Sequence, residues 1–122
     1  ETIPAKYRDR RRVMHNPCNA NVRTSADEMR RIGRVLAERL NAAKGPVALF
    51  VPLQWWSIYG GAGGPLHDPE SDRELLRTVK ENIQSKVFIR EMDCHINDPS
   101  FAHACVDMLV ELMAKPVIGA ST

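Results

Sequence analysis

The chain has 122 residues, 43% of them hydrophobic and 26% charged, with a formal net charge of +2. That length holds one core at most, so the chain is one domain or a piece of one, and its composition excludes a long disordered polymer. No apolar run approaches the roughly 20 residues that span a bilayer and no leader-like segment opens the chain, so the expectation is a cytoplasmic protein without a membrane partner.

Residues 1–10 read as a lead-in. Lys6, Arg8, Arg10, Arg11, Arg12 and Arg23 against Glu1 and Asp9 give the first 23 residues a net +4, and the remainder carries −2. The run Arg8-Asp9-Arg10-Arg11-Arg12 is a solvated approach to the first strand, and no nucleic-acid module accompanies it, so no nucleic-acid partner is expected. Cys18, Cys94 and Cys105 are odd in number and lack C-x-x-C spacing. Reduced thiols follow, with neither a disulfide framework nor a zinc knuckle.

The first predicted strand is "RRVMH", ending at His15. Ser25 and Glu28 form a capping box for a helix whose inner stripe is Met29, Ile32, Leu36 and Leu40, closed by Gly45-Pro46. "VALFVPL" is a continuous apolar strand, and Asp68-Pro69 starts a second helix with Leu75, Leu76, Val79 and Ile83 inward. "KVFIREMD" is a third strand, and Asp98-Pro99 starts a third helix whose Phe101, Val106, Leu109, Leu112 and Met113 are expected to be buried. Residues 116–122 form a tail in which "PVIGA" has the composition of an edge strand.

Alternation of strand and helix predicts an α/β fold: a three-layer, Rossmann-like parallel sheet in which right-handed crossovers return each strand to the same edge. All three strand-to-helix loops, "HNPCNANVRTS", "PLQWWSIYGGAGGPLHDP" and "EMDCHINDP", then lie along the carboxyl edge, where such sheets bind ligands. The middle loop is far longer than the two to six residues such connections usually take. Its Gly60, Gly61, Gly63 and Gly64 permit close backbone approach to a ligand, yet match neither G-x-x-x-x-G-K-[ST] nor G-x-G-x-x-G. Adjacent Trp55 and Trp56 point to opposite sides of an extended chain, so one is expected to face outward with Tyr59, either to stack on a base or to dock against another domain or subunit.

Asn16, Asn19, Asn21, Arg23, Thr24 and Ser25 crowd the first loop, where the amides and hydroxyls also serve turns and caps. Arg23 is a cation beside a helix start, which is unfavourable unless an anion is near; a phosphate or carboxylate is its candidate partner. His15, His67 and His95 fall one to a loop, with Asp68, Asp93 and Cys94 beside them. They offer two alternatives, a transition-metal site or acid–base chemistry by His95 with Asp93; no H-x-x-x-H pair fixes ligands on one element, and no metal site is assigned. His103 reads as a surface or packing residue. No G-x-S-x-G elbow supports a Ser/His/Asp triad.

Three motifs in order, N-P…R-T-[ST]-x-x-E from Asn16, G-G-P-[FL]-x-D-P-E-[AS]-D from Gly63 and D-x-H-I-N-D-P from Asp93, resemble the Tm-one-like ATP-binding family over about Tyr7 to Met113. The resemblance implies two Rossmann-like subdomains, of which this chain, residues 1–122, is similar to the second, C-terminal one. It further implies ATP binding, possible use of magnesium, an N-terminal subdomain of the same protein as partner, and self-association into a homo-oligomer. The positions it carries over are Asn16, Arg23, Thr24, Ser25, Gly63, Gly64, Asp68, Asp93, His95 and Asn97. Three readings follow: a binding module for ATP or another phosphorylated small molecule in a cleft shared with the missing subdomain, an enzyme of hydrolase or metal-dependent type, and an assembly domain docking through its Trp-rich loop.

Overall fold

A computed structural model describes residues 3–114, and the "PVIGA" segment lies outside them. The lead-in contains a 3-10 turn at Ala5–Tyr7, followed by β1 (Arg12–Asn16), β2 (Asn19–Val22), α1 (Ala26–Ala42), β3 (Val47–Pro52), α2 (Pro69–Asn82), β4 (Val87–Met92) and α3 (Pro99–Ala114). The α/β class stands: β3 and β4 form a parallel pair in register from Val47 opposite Val87 to Pro52 opposite Met92, with α2 as the crossover.

The first strand departs from expectation. β1 pairs antiparallel with β2, in a two-stranded sheet separate from the parallel pair. Asn16-Pro17-Cys18-Asn19 turns the chain back at once, with the Asn16 side-chain oxygen accepting from the Cys18 amide at 2.9 Å. An Asx turn of this kind, with Pro unable to continue a ladder, closes a hairpin where a crossover loop was expected.

α1 starts as its sequence dictates, the Ser25 hydroxyl accepting from the Glu28 amide and the Glu28 carboxylate accepting from the Ser25 amide. Its buried face is Met29, Gly33 and Ala37, not the stripe through Ile32 and Leu36. Small residues win because α2 comes close: a Cβ on Gly33 would lie 3.0 Å from the Leu75 carbonyl oxygen and from Thr78 Cβ. α2 buries Ser71, Thr78 and Val79, with Thr78 against Gly33, while Val51, Pro52 and Val87 are the buried strand residues.

α3 also departs. It packs against β3, but none of its residues is fully buried, and Val106, Leu109 and Met113 are 57%, 57% and 77% exposed. Its apolar residues run all round the helix, so the sheet can cover only one side.

Candidate functional site

Beyond their last strand residues, β3 and β4 keep pairing. The Leu53 amide donates to the Met92 carbonyl at 2.8 Å, Gln54 to Cys94 at 3.2 Å and Ile96 to Trp55 at 3.2 Å, with an isolated parallel bridge between Trp55 and His95. The Trp55 and His95 rings meet edge to face, 6.0 Å apart. Trp56 turns inward as well, donating its indole N–H to the Pro52 carbonyl at 2.8 Å. Both Trp are therefore half-buried braces of the loop, and the large apolar side chains left outward there are Leu53 and Ile58.

The glycine loop folds on itself. Gly63 has φ +78°, and a Cβ on Gly64 would fall 2.4 Å from the Tyr59 carbonyl oxygen, so neither position accepts a side chain without strain. Leu66 donates to Tyr59 and the Gly64 amide to Gly61, closing the turn ahead of α2. Asp68 then caps that helix, accepting from the Ser71 amide at 3.1 Å and the Ser71 hydroxyl at 2.7 Å. Burial raises the Asp68 pKa, but the Ser71 donors and the Arg23 charge outweigh it and hold the carboxyl below its ordinary value.

The β1–β2 hairpin is strapped onto this loop. His15 Nδ1 lies 3.1 Å from the Tyr59 hydroxyl, Arg11 donates to the His67 carbonyl, and Arg23 donates to the Asp68 carbonyl at 2.9 Å and to Asp72 Oδ1 at 2.5 Å. Arg23 thus has its anion inside the protein. The antiparallel hairpin brings the first polar segment to the carboxyl edge that a third parallel strand was expected to supply.

Between the carboxyl end of β3 and the start of α2 lies a cavity of about 270 Å³. Pro52, Trp55, Trp56 and Leu76 are apolar walls, and Gln54, His67, Asp72 and Arg73 are the polar ones. His67 Nδ1 is 2.9 Å from the Gly60 carbonyl, which can only accept; the proton is assigned to Nδ1 and, in the neutral ring, leaves Nε2 as an acceptor. His95 is the opposite case. Its Nδ1 accepts from the Asn97 amide at 2.9 Å, which places the neutral ring's proton on Nε2, while its own amide donates to Asp98.

The candidate residues therefore divide. Gly63, Gly64, Asp68, Asp93, His95 and Asn97 occupy the two loops at the parallel edge. Asn16 shapes the hairpin turn, Ser25 caps α1, and Thr24 lines a second groove along that helix. His15, His67 and His95 each engage a different partner, and among the described residues no group of three His, Cys, Asp or Glu side chains is placed to share a metal ion. Residues missed in the sequence are Gln54, Asp72 and Arg73. Arg73 has no ion-pair partner among the described residues, and its position one turn past the Asp68 cap was the available signal.

The sequence profile of the uncharacterised protein family (UPF0261) C-terminal domain matches residues 1–113. A UPF0261 protein of Clostridium tetani is 38% identical over 116 residues, covering 94% of this chain and 29% of the relative. One from Mesorhizobium japonicum is 39% identical over 112 residues, covering 88% and 28%. The ToMV resistance protein Tm-1(GCR237) of Solanum lycopersicum is 31% identical over 118 residues, covering 93% and 15%. The chain spans under a third of the length of each of these relatives. No helix among the described residues is long and apolar enough to cross a membrane.

Proposed function

The chain belongs to the UPF0261 family, as its C-terminal domain, and from that premise we propose that it binds a phosphorylated small molecule, ATP first among them, at the carboxyl edge of the β3–β4 pair. The observation that carries the reading is the cavity at the end of β3. It combines Trp and Leu walls for an apolar ring with Arg73 as a cation whose charge no carboxylate of the described chain neutralises. Arg23 plays a different part in this reading, because Asp68 and Asp72 occupy it. It fixes the loop so that Arg73 and His67 keep their places.

Size argues for a shared site. Pockets that enclose small ligands and cofactors measure about 300–1,000 Å³, and 270 Å³ falls short of holding a whole nucleotide. The remaining wall comes from the preceding part of a longer polypeptide, in keeping with relatives more than three times this chain's length. Magnesium would be held by the phosphates, with Asp72 the carboxylate in the cavity wall.

Isothermal titration of the full-length protein with ATP and magnesium tests the reading. Binding in the micromolar range is expected, weakened at least about tenfold by Arg73→Ala, the loss of one charge-assisted hydrogen bond. Absence of heat at millimolar ATP would sink it, as would affinity indifferent to Arg73.

A further inference from the structure

The cavity at the end of β3 has a wall whose own charges cancel. Asp72 and Arg73 are its ionised side chains, one of each sign, and His67 as a neutral ring adds none. A cation behind the wall breaks the tie. Arg23 does not line the cavity, yet its Nη2 donates to Asp72 Oδ1 at 2.5 Å and so sets a full positive charge against that carboxylate. Asp68, also close to Arg23, holds the Ser71 amide and hydroxyl and has the charge of Arg11 beside it.

The pair is poorly accounted for as a brace alone. The Arg23 side chain is 15% exposed and that of Asp72 25%, so both charges give up much of their hydration. Among the described residues, Arg23 Nε is a buried nitrogen without a hydrogen-bond partner, 3.9 Å from Asp68 Oδ2. Ion pairs withdrawn from water in this way return little net stability. A neutral donor could still serve the Asp68 carbonyl, which Arg23 meets at 2.9 Å. It could not cancel the charge of Asp72.

We propose that Arg23 sets the charge preference of the cavity: by neutralising Asp72 from outside the wall, it leaves Arg73 uncompensated and turns a site of balanced charge into one for anions. The inference rests on the reading that this cavity binds a phosphorylated ligand, and it names what makes the cavity select one. Arg23 is a positioning residue, acting through Asp72 without touching the ligand. It stands at the end of the β1–β2 hairpin, 49 residues from Asp72. The hairpin therefore supplies the sign of the site as well as a strap for its loop.

Isothermal titration of the full-length protein with ATP, with magnesium removed by a chelator so that the bare anion is read, tests this in Arg23→Gln, Asp72→Asn and the double variant. Arg23→Gln removes a positive charge and should bind at least about tenfold more weakly than wild type. Asp72→Asn removes a negative one and should bind about tenfold more tightly. The double variant keeps the wild-type net charge and should return to within about threefold of wild type. Each difference should shrink in high salt. A gain in Asp72→Asn is what a bracing role cannot produce, because breaking a brace only loosens the site; should Arg23→Gln fail to fold, that gain decides alone. Arg23→Gln binding like wild type, Asp72→Asn binding no more tightly, or a double variant as weak as Arg23→Gln would each overturn the proposal. A wild type that takes ATP with magnesium but not without it overturns this inference and leaves the binding reading standing. One that takes ATP under neither condition removes both.

Discussion

α2 and α3 both open on Asp-Pro, yet their approaches and their fates differ. Asp68 caps α2 forward, onto Ser71, after a long glycine loop braced by two Trp and an Arg. Asp98 reaches backward, onto the amide of His95, across a short loop. α2 is amphipathic and buries its stripe against α1, whereas α3 is apolar on both sides and only one side meets the sheet. A start signal fixes where a helix begins; the pattern around its circumference fixes how many neighbours it needs.

The contrast can be broken most forcefully in the loop ahead of α2. Gly64→Ala places a Cβ 2.4 Å from a backbone oxygen that no rotamer change can move. We expect about 3 kcal/mol of lost stability by denaturant unfolding. A loss under about 0.5 kcal/mol would mean the loop repacks freely.

Burial sharpens the contrast next. Val79→Ala removes two methyl groups from a site 2% exposed. It should cost about 2 kcal/mol, counting transfer and cavity together. Val110→Ala, on the outer face of α3, should change monomer stability by less than about 0.5 kcal/mol. Equal losses would place a covering element over α3 within the monomer.

The caps come third. Asp68→Ala should cost about 1 kcal/mol as a lost N-cap, and it also deprives Arg23 of a neighbour. Amide exchange in the first turn of α2 should rise, and unchanged protection there would show the cap to be dispensable.

The smallest expected effect is with pH. Arg77, helped by Arg30, holds the Glu74 carboxyl at about 2, and Arg10, with the Ser25 amide, does the same for Glu28. Both folded values lie below the ordinary 4.5, so the stability they lend is present above that pH and is lost as pH falls toward 2. The pairs are at the surface, so the decline should be shallow and should weaken in high salt. Melting curves of wild type and Glu74→Gln between pH 5 and pH 2 should converge, and parallel curves would assign the acid sensitivity elsewhere.

Much of this fold is written in local chemistry. Ser25 with Glu28 and Asp68-Pro69 mark helix starts because capping is decided within four residues. The runs at Val47 and Val87 become strands because β-branched apolar residues between turn signals have few alternatives. Partner choice was not legible. Nothing within "RRVMH" says whether its ladder runs to a strand 35 residues away or to Asn19–Val22, and the nearer partner wins because a short loop closes at little entropic cost. Arg23 reads as an anion seeker from its place in sequence, but the anions it finds, Asp68 and Asp72, are 45 and 49 residues distant. Among the described residues Arg73 has no ion-pair partner for the same reason, since charge neutralisation depends on which side chains the folded chain brings close together. The residue types and helix starts thus follow from neighbours along the chain, whereas the pairing of charges and strands follows from distances through space.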